Sequence, residues 1–241
     1  MKASPSDQRQ ILDVQAMDFA VATLGNKAAN LPEISELNSK TTKANNTRDL
    51  RIAAQTELTD VKRELSRSEG DVEQVVSRIT RDESRLNSGS ATPKELEGLQ
   101  HEVATLNARR AELEEVELEI MMRVEGIQER IATLTAEETV LGAEVDELNI
   151  RKENALAAIN SEIESIARDR AETVKSVSAE LVALYEKIRS GGGAGAAALK
   201  AGACGGCHLS INAVELKRIS DLSEDEVVRC DECRCILVRG V

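Results

Sequence analysis

The chain has 241 residues with one Tyr, one Phe and no Trp, and 31% of it is charged. So few aromatics exclude a thick core of the ordinary globular kind, while the composition, with only three Pro, favours long helices. A formal net charge of −12 repels phosphate backbones and anionic lipid on average, though it leaves room for a local basic patch.

The N-terminus, "MKASPSDQRQILDVQ", lacks the apolar segment of a signal peptide. No apolar run approaches the roughly 20 residues of a membrane span. The expectations are therefore a cytoplasmic location, no membrane partner and few structural disulfides. Residues 6–30 read as a short amphipathic helix. Pro32 then removes a backbone donor and predicts a kink or break.

Next comes a heptad seam: Leu58, Val61, Leu65, Ser68, Val72, Val75, Ile79, Asp82 and Leu86 recur at alternating spacings of 3 and 4. "NSGSATP", Asn87 to Pro93, is made of turn formers. Thr92 suits an N-cap, Pro93 the first helical position, and Glu95 completes a capping box. A second seam runs from Leu96 to Leu148, apolar except at Arg110, Glu117 and Glu138. Helical composition lasts to about Arg189, where "SGGGAG" ends it. Two heptad helices joined by a short turn fold back antiparallel. An arm of about 80 to 95 residues reaches about 120 to 140 Å. Residues 6–30 as a third packed helix is the less favoured arrangement.

All five Cys lie in residues 204–235. "CGGCH" at Cys204–His208 has the form of a c-type haem attachment site. That reading uses one Cys pair and ignores the other. It also needs export and a second axial ligand, and the only other His is His101 in the heptads. A thioredoxin-like dithiol would need a βαβ context that neither pair has. Two C-x-x-C pairs, Cys204/Cys207 and Cys230/Cys233, separated by 22 residues, instead fit one four-thiolate zinc site, each pair forming a tight knuckle. Gly205 and Gly206 ease the first knuckle. One structural zinc supplies folding energy that so small a domain lacks. Cys235 competes with Cys233 for the fourth position, but the x-x spacing selects Cys233 and leaves Cys235 as a spare thiol. His208 reads as a donor to a sulfur or a surface residue. "EVVRC" and "CILVRGV" read as strands around the second knuckle.

The expected fold is thus mainly α: a long kinked antiparallel coiled-coil hairpin (1–190, kink near Pro32, turn at 87–93), a Gly/Ala-rich, partly flexible hinge (191–200) and a small zinc ribbon with short strands (201–241). "PKELEGLQHEV" after a Ser/Gly turn, "LYEKIRS" at the end of the long helix, and "CGGCHLSI…VVRCDECRCILV" resemble the bacterial coiled-coil hairpin proteins with a C-terminal four-cysteine zinc ribbon, over nearly the whole chain. The second knuckle of that family usually reads C-x-x-C-G-R; here Arg234 and Cys235 hold those last two positions. The resemblance implies nucleic-acid binding through the ribbon, or a link to sigma-factor or flagellar regulation.

From the residues themselves, no catalytic constellation is visible, and a site closed by four thiolates keeps no open position for water. The expectation is a non-enzymatic adaptor or regulator that binds a protein partner, as monomer or dimer. The alternative is nucleic-acid binding through Lys217, Arg218, Arg229 and Arg239. From Lys200 to Val241 six Lys/Arg face seven Asp/Glu, a net −1, and a zinc tetrathiolate adds about −2. The ribbon has no aromatic for base stacking. A polymerase secondary-channel factor would carry acids at the hairpin tip, and 87–93 has none.

Overall fold

The computed structural model describes residues 1–89 and 92–240. Its elements are α1 (Pro5–Ala29), α2 (Pro32–Asn87), α3 (Pro93–Lys175), α4 (Ala179–Arg189), β1 (Ala196–Lys200), β2 (Ala203–Cys204), α5 (Ala213–Asp221), β3 (Val228–Arg229) and β4 (Ile236–Val238). They form two compact units, Ser35–Asn149 and Met1–Ile34 with Ile150–Val241.

The first unit is the antiparallel hairpin read from the heptads. Ala54, Leu58 and Val61 of α2 pack on Ile120, Val124 and Ile127 of α3, as the seam requires. Ion pairs flank it: Lys40 with Glu144 at 2.6 Å, Arg51 with Glu138 at 2.6 Å, and Arg123 with Glu64 at 3.0 Å. Glu138, a polar seam entry, is therefore answered across the hairpin, whereas Arg110 bonds Glu114 within its own helix at 2.8 Å. The expected capping box forms: the Thr92 N–H donates to Glu95 Oε2 at 2.8 Å, and the Glu95 N–H donates to Thr92 Oγ1 at 3.4 Å. Within the expected turn, Ser90 and Ala91 lie outside the described residues.

The second unit departs from the sequence reading in three places. The helix expected to run to Arg189 stops at Lys175, and α4 restarts at Ala179. At the break Val177 enters the core, and the Ser178 N–H donates to Asp7 Oδ2 of α1 at 3.1 Å. Residues 6–30, read as the short helix before the kink, form α1, which packs against α4 and the sheet as the sequence did not foretell. It starts at the Ser4 cap and buries Ile11 and Val14 with Leu181, Tyr185, Ala196, Ile236 and Val238. The break at Asn30–Leu31 before Pro32 agrees with expectation. Lastly, the expected hinge at 191–200 is only half a turn, because Ala196–Lys200 is a sheet strand. Gln15 Oε1 of α1 accepts the Gly195 and Ala196 N–H groups at 2.7 and 3.3 Å, and small Ala side chains let the helix approach the strand.

The four-stranded sheet has the order β2-β1-β4-β3. β1 pairs parallel with β4, Ala196 opposite Ile236, and the two outer pairings are antiparallel. The N-terminus closes one side: the Ala3 N–H donates to Asp225 O at 2.8 Å and the Val227 N–H to Met1 O at 3.1 Å. No helix among the described residues is long and apolar enough to cross a membrane.

Candidate metal centre

The first knuckle leaves the end of β2 and the second follows β3, so the sheet brings the two Cys pairs together although 22 residues separate them in sequence. The knuckles have the same backbone form. The His208 N–H donates to Cys204 O at 2.8 Å, and the Arg234 N–H donates to Cys230 O at 3.0 Å. Each loop closes with a left-handed residue, His208 at φ 63 and Arg234 at φ 65. Arg234 thus adopts the conformation that a glycine would take without strain, at the very position where the family pattern carries Gly. Gly205 is required by close approach: its N–H donates to Ala198 O at 3.0 Å, and a Cβ there would meet that oxygen at 2.9 Å.

The sulfurs of Cys204, Cys207, Cys230 and Cys233 all lie within 4.8 Å of one another. Cys204 Sγ to Cys233 Sγ is 3.8 Å, and Cys207 Sγ to Cys230 Sγ is 3.8 Å. A tetrahedral zinc site with Zn–S distances of about 2.3 Å has sulfur–sulfur edges of about 3.8 Å, so these residues fit zinc in both donor type and spacing. Electrostatics agrees. Burial opposes ionisation of Cys204, but the N–H groups of Cys207 and Gly206 and the Cys235 thiol lower it to about 7. At Cys207 the Leu209 N–H favours the thiolate, yet burial and the Cys204, Cys233 and Cys230 sulfurs push the thiol up to about 12. Sulfurs this close resist sharing negative charge, and a divalent cation removes that conflict.

The other singled-out residues take different places. Cys235 is a fifth sulfur at the cluster, not a thiol apart from it, and burial pushes its thiol up. His208 is exposed. The proposed basic edge is largely spent on the fold. Arg239 donates to the carbonyls of Ile219 at 2.8 Å, Leu222 at 3.0 Å and Glu226 at 2.9 Å. Arg218 Nε bonds Glu215 at 2.8 Å, and Arg229 Nε bonds Arg234 O at 3.0 Å. Only Lys217 of the four is exposed and outside such contacts among the described residues. The sequence reading missed α5, although Asn212 followed by Glu215 marks its start: the Glu215 N–H donates to Asn212 Oδ1 at 2.8 Å. It also missed the Asp18 network, in which Arg170, Arg189 and Tyr185 converge on one carboxylate that is 6% exposed.

A family model for a CT398-like coiled-coil hairpin domain matches residues 14–193, and one for a C4-type zinc ribbon matches residues 203–237. An uncharacterized protein of Mycobacterium tuberculosis is 34% identical over 239 residues, covering 99% of this chain and 98% of its own. A structure from Mycobacterium smegmatis superposes with a TM-score of 0.89 at 32% identity, covering 99% of this chain and 100% of that one. CT398 from Chlamydia trachomatis has the same fold at a TM-score of 0.69 and 18% identity, with 98% of each chain covered.

Proposed function

The chain belongs to the CT398-like coiled-coil hairpin family and ends in a C4-type zinc ribbon, and on that footing we propose that it is a non-enzymatic adaptor or regulator that grips a protein partner, with transcription control as its setting. The observation that carries this reading is the surface beside the first knuckle. Phe19, the only Phe of the chain, is 70% exposed on α1. It borders a mainly apolar groove formed with Leu12, Ala16, Ala22, Ala197 and Gly206, whose one guanidinium, Arg189, is paired with Asp18 and Glu186. An exposed aromatic next to a groove floored by small residues is the composition of a protein-binding anchor point. It is a poor match for a phosphate backbone, which needs free cations. The engagement of Arg218 and Arg239 within the ribbon and the net acidity of the segment weigh in the same direction.

The test places a photo-crosslinking phenylalanine analogue at position 19 and, separately, at position 217. The tagged protein is then captured from its own cells with and without nuclease. A protein crosslinked at 19 and retained after nuclease is the expected result. RNA or DNA crosslinked at 217, with nothing at 19, would replace this reading with the nucleic-acid one.

A further inference from the structure

Five thiols meet at the ribbon, and zinc needs four. Cys235 is fully buried. Its Sγ lies 3.5 Å from Cys204 Sγ and 3.4 Å from Cys233 Sγ. The first is within the edge of a zinc tetrathiolate, about 3.8 Å for Zn–S bonds of about 2.3 Å, and the second sets Cys235 beside the ligand it would replace. Gly206 leaves room for this sulfur, since a Cβ on that glycine would sit 3.3 Å from it. The five differ in exposure. Cys204, Cys230 and Cys235 are buried, whereas Cys207 and Cys233 are half-buried. A reagent from solvent therefore meets Cys233 before it meets the thiol behind it.

We propose that Cys235 is a reserve zinc ligand, which replaces Cys233 when that sulfur is lost, so that the site remains a tetrathiolate. The spacing permits it: Cys230 and Cys235 form a C-x4-C pair, at the upper end of the ordinary knuckle range of about two to four intervening residues. The balance is simple. An alkylating agent adds its carbon to the Cys233 sulfur with loss of its halide, and the resulting neutral thioether leaves the metal. Cys235 binds in its place and releases its proton to solvent. The site keeps its charge of about −2.

This inference rests on the C4 site, so the test separates the two. Zinc per chain and the thiolate-to-metal absorption of the cobalt form are measured for full-length wild type, Cys233→Ser, Cys235→Ser and the double variant. Cys207→Ser reports the C4 site itself, because no short sulfur contact links Cys235 to Cys207 among the described residues. Cys233→Ser and Cys235→Ser are each expected to hold one metal at full charge-transfer intensity. The double variant should lose about a quarter of that intensity, as one of four thiolates disappears. Cys233→Ser matching the double variant would overturn the proposal. A second arm covers misfolding of Cys233→Ser: zinc-loaded wild type and Cys235→Ser are treated with limiting iodoacetamide, the adducts are mapped, and metal retention is read by native mass spectrometry. Chains alkylated at Cys233 should retain zinc against a chelator in wild type and lose it faster in Cys235→Ser, where three thiolates remain. Equal loss in both would refute the reserve role.

Discussion

Asp18→Asn probes the second unit away from the metal. Asp18 is 6% exposed. Its oxygens accept from Arg170 Nε at 2.7 Å, Arg170 Nη2 at 3.0 Å and the Tyr185 hydroxyl at 2.7 Å, and Arg189 approaches at 3.3 Å. Each of these groups donates to Asp18, and the guanidinium N–H groups can do nothing else. An Asn amide in that space turns its own NH2 towards one of them and leaves a donor without an acceptor. Removing one partner of a buried ion pair costs about 3–5 kcal/mol. The Arg170 and Arg189 side chains are 23% and 41% exposed and both keep Glu186 as a partner, so the loss here shrinks to about 2–3 kcal/mol. At about 2–4 °C per kcal/mol for a chain of this size, the midpoint should fall by roughly 4–12 °C. The chain contains one Tyr and no Trp, and that Tyr lies at the site, so tyrosine emission during thermal or urea unfolding of the zinc-loaded protein reports this unit alone. A midpoint within about 0.5 kcal/mol of wild type, the range of an ordinary surface change, would refute the argument that Asp18 is a buried hub.

Burial and the Asp18 carboxylate hold the Tyr185 phenol above its usual 10.0. The folded state therefore binds that proton more tightly than the unfolded one. Its stabilisation is complete below about pH 10 and declines as pH rises beyond it; urea midpoints across this range should fall more steeply for wild type than for Tyr185→Phe, and equal slopes would count against it. Arg234→Gly relieves a left-handed side-chain residue and should stabilise the zinc-loaded ribbon by about 0.5–1 kcal/mol, read by chelator competition, whereas Arg234→Val should weaken it. Stripping zinc should speed hydrogen exchange at the Ala3 amide as well as in the knuckles, because that N–H is bonded to Asp225 O of the ribbon; an unchanged Ala3 amide would show that the N-terminal latch is independent of the metal.

The readable parts of the sequence were those whose signal is local and periodic. The hairpin seam around Leu58, Val61, Ile120 and Val124 follows from side chains three and four residues apart on one helix. The Thr92–Glu95 cap and the two C-x-x-C knuckles are likewise short patterns in which chemistry fixes spacing. The missed features depend on contacts remote in sequence. Gln15 reads as a surface helix residue until its side chain is seen accepting from Gly195 and Ala196. "SGGGAGAAALK" has the composition of a hinge, and nothing in it announces that Ala196–Ala198 lie in register with Ile236–Val238. The helix break at Val177 is a case of tertiary override: "VKSVSAE" has no Pro or Gly, and burial of Val177 with the Asp7 contact outweighs helix propensity.

These remote contacts change what the ribbon is. A four-cysteine module of this size needs its metal because it has little core of its own. Here one face of its sheet has a second source of burial. Ile236 and Val238 of β4 are covered by Ile11 and Val14 of α1 and by Leu181 and Tyr185 of α4. Leu237, pointing the other way as strand alternation requires, packs with the cysteines and Ile219 of α5. One strand therefore carries zinc-dependent packing on one face and helix-dependent packing on the other. The groove beside Phe19 lies where α1, β1 and the first knuckle converge, so its shape depends on both sources of order. β1 joins the two, since its Ala198 carbonyl accepts the Gly205 N–H of the knuckle.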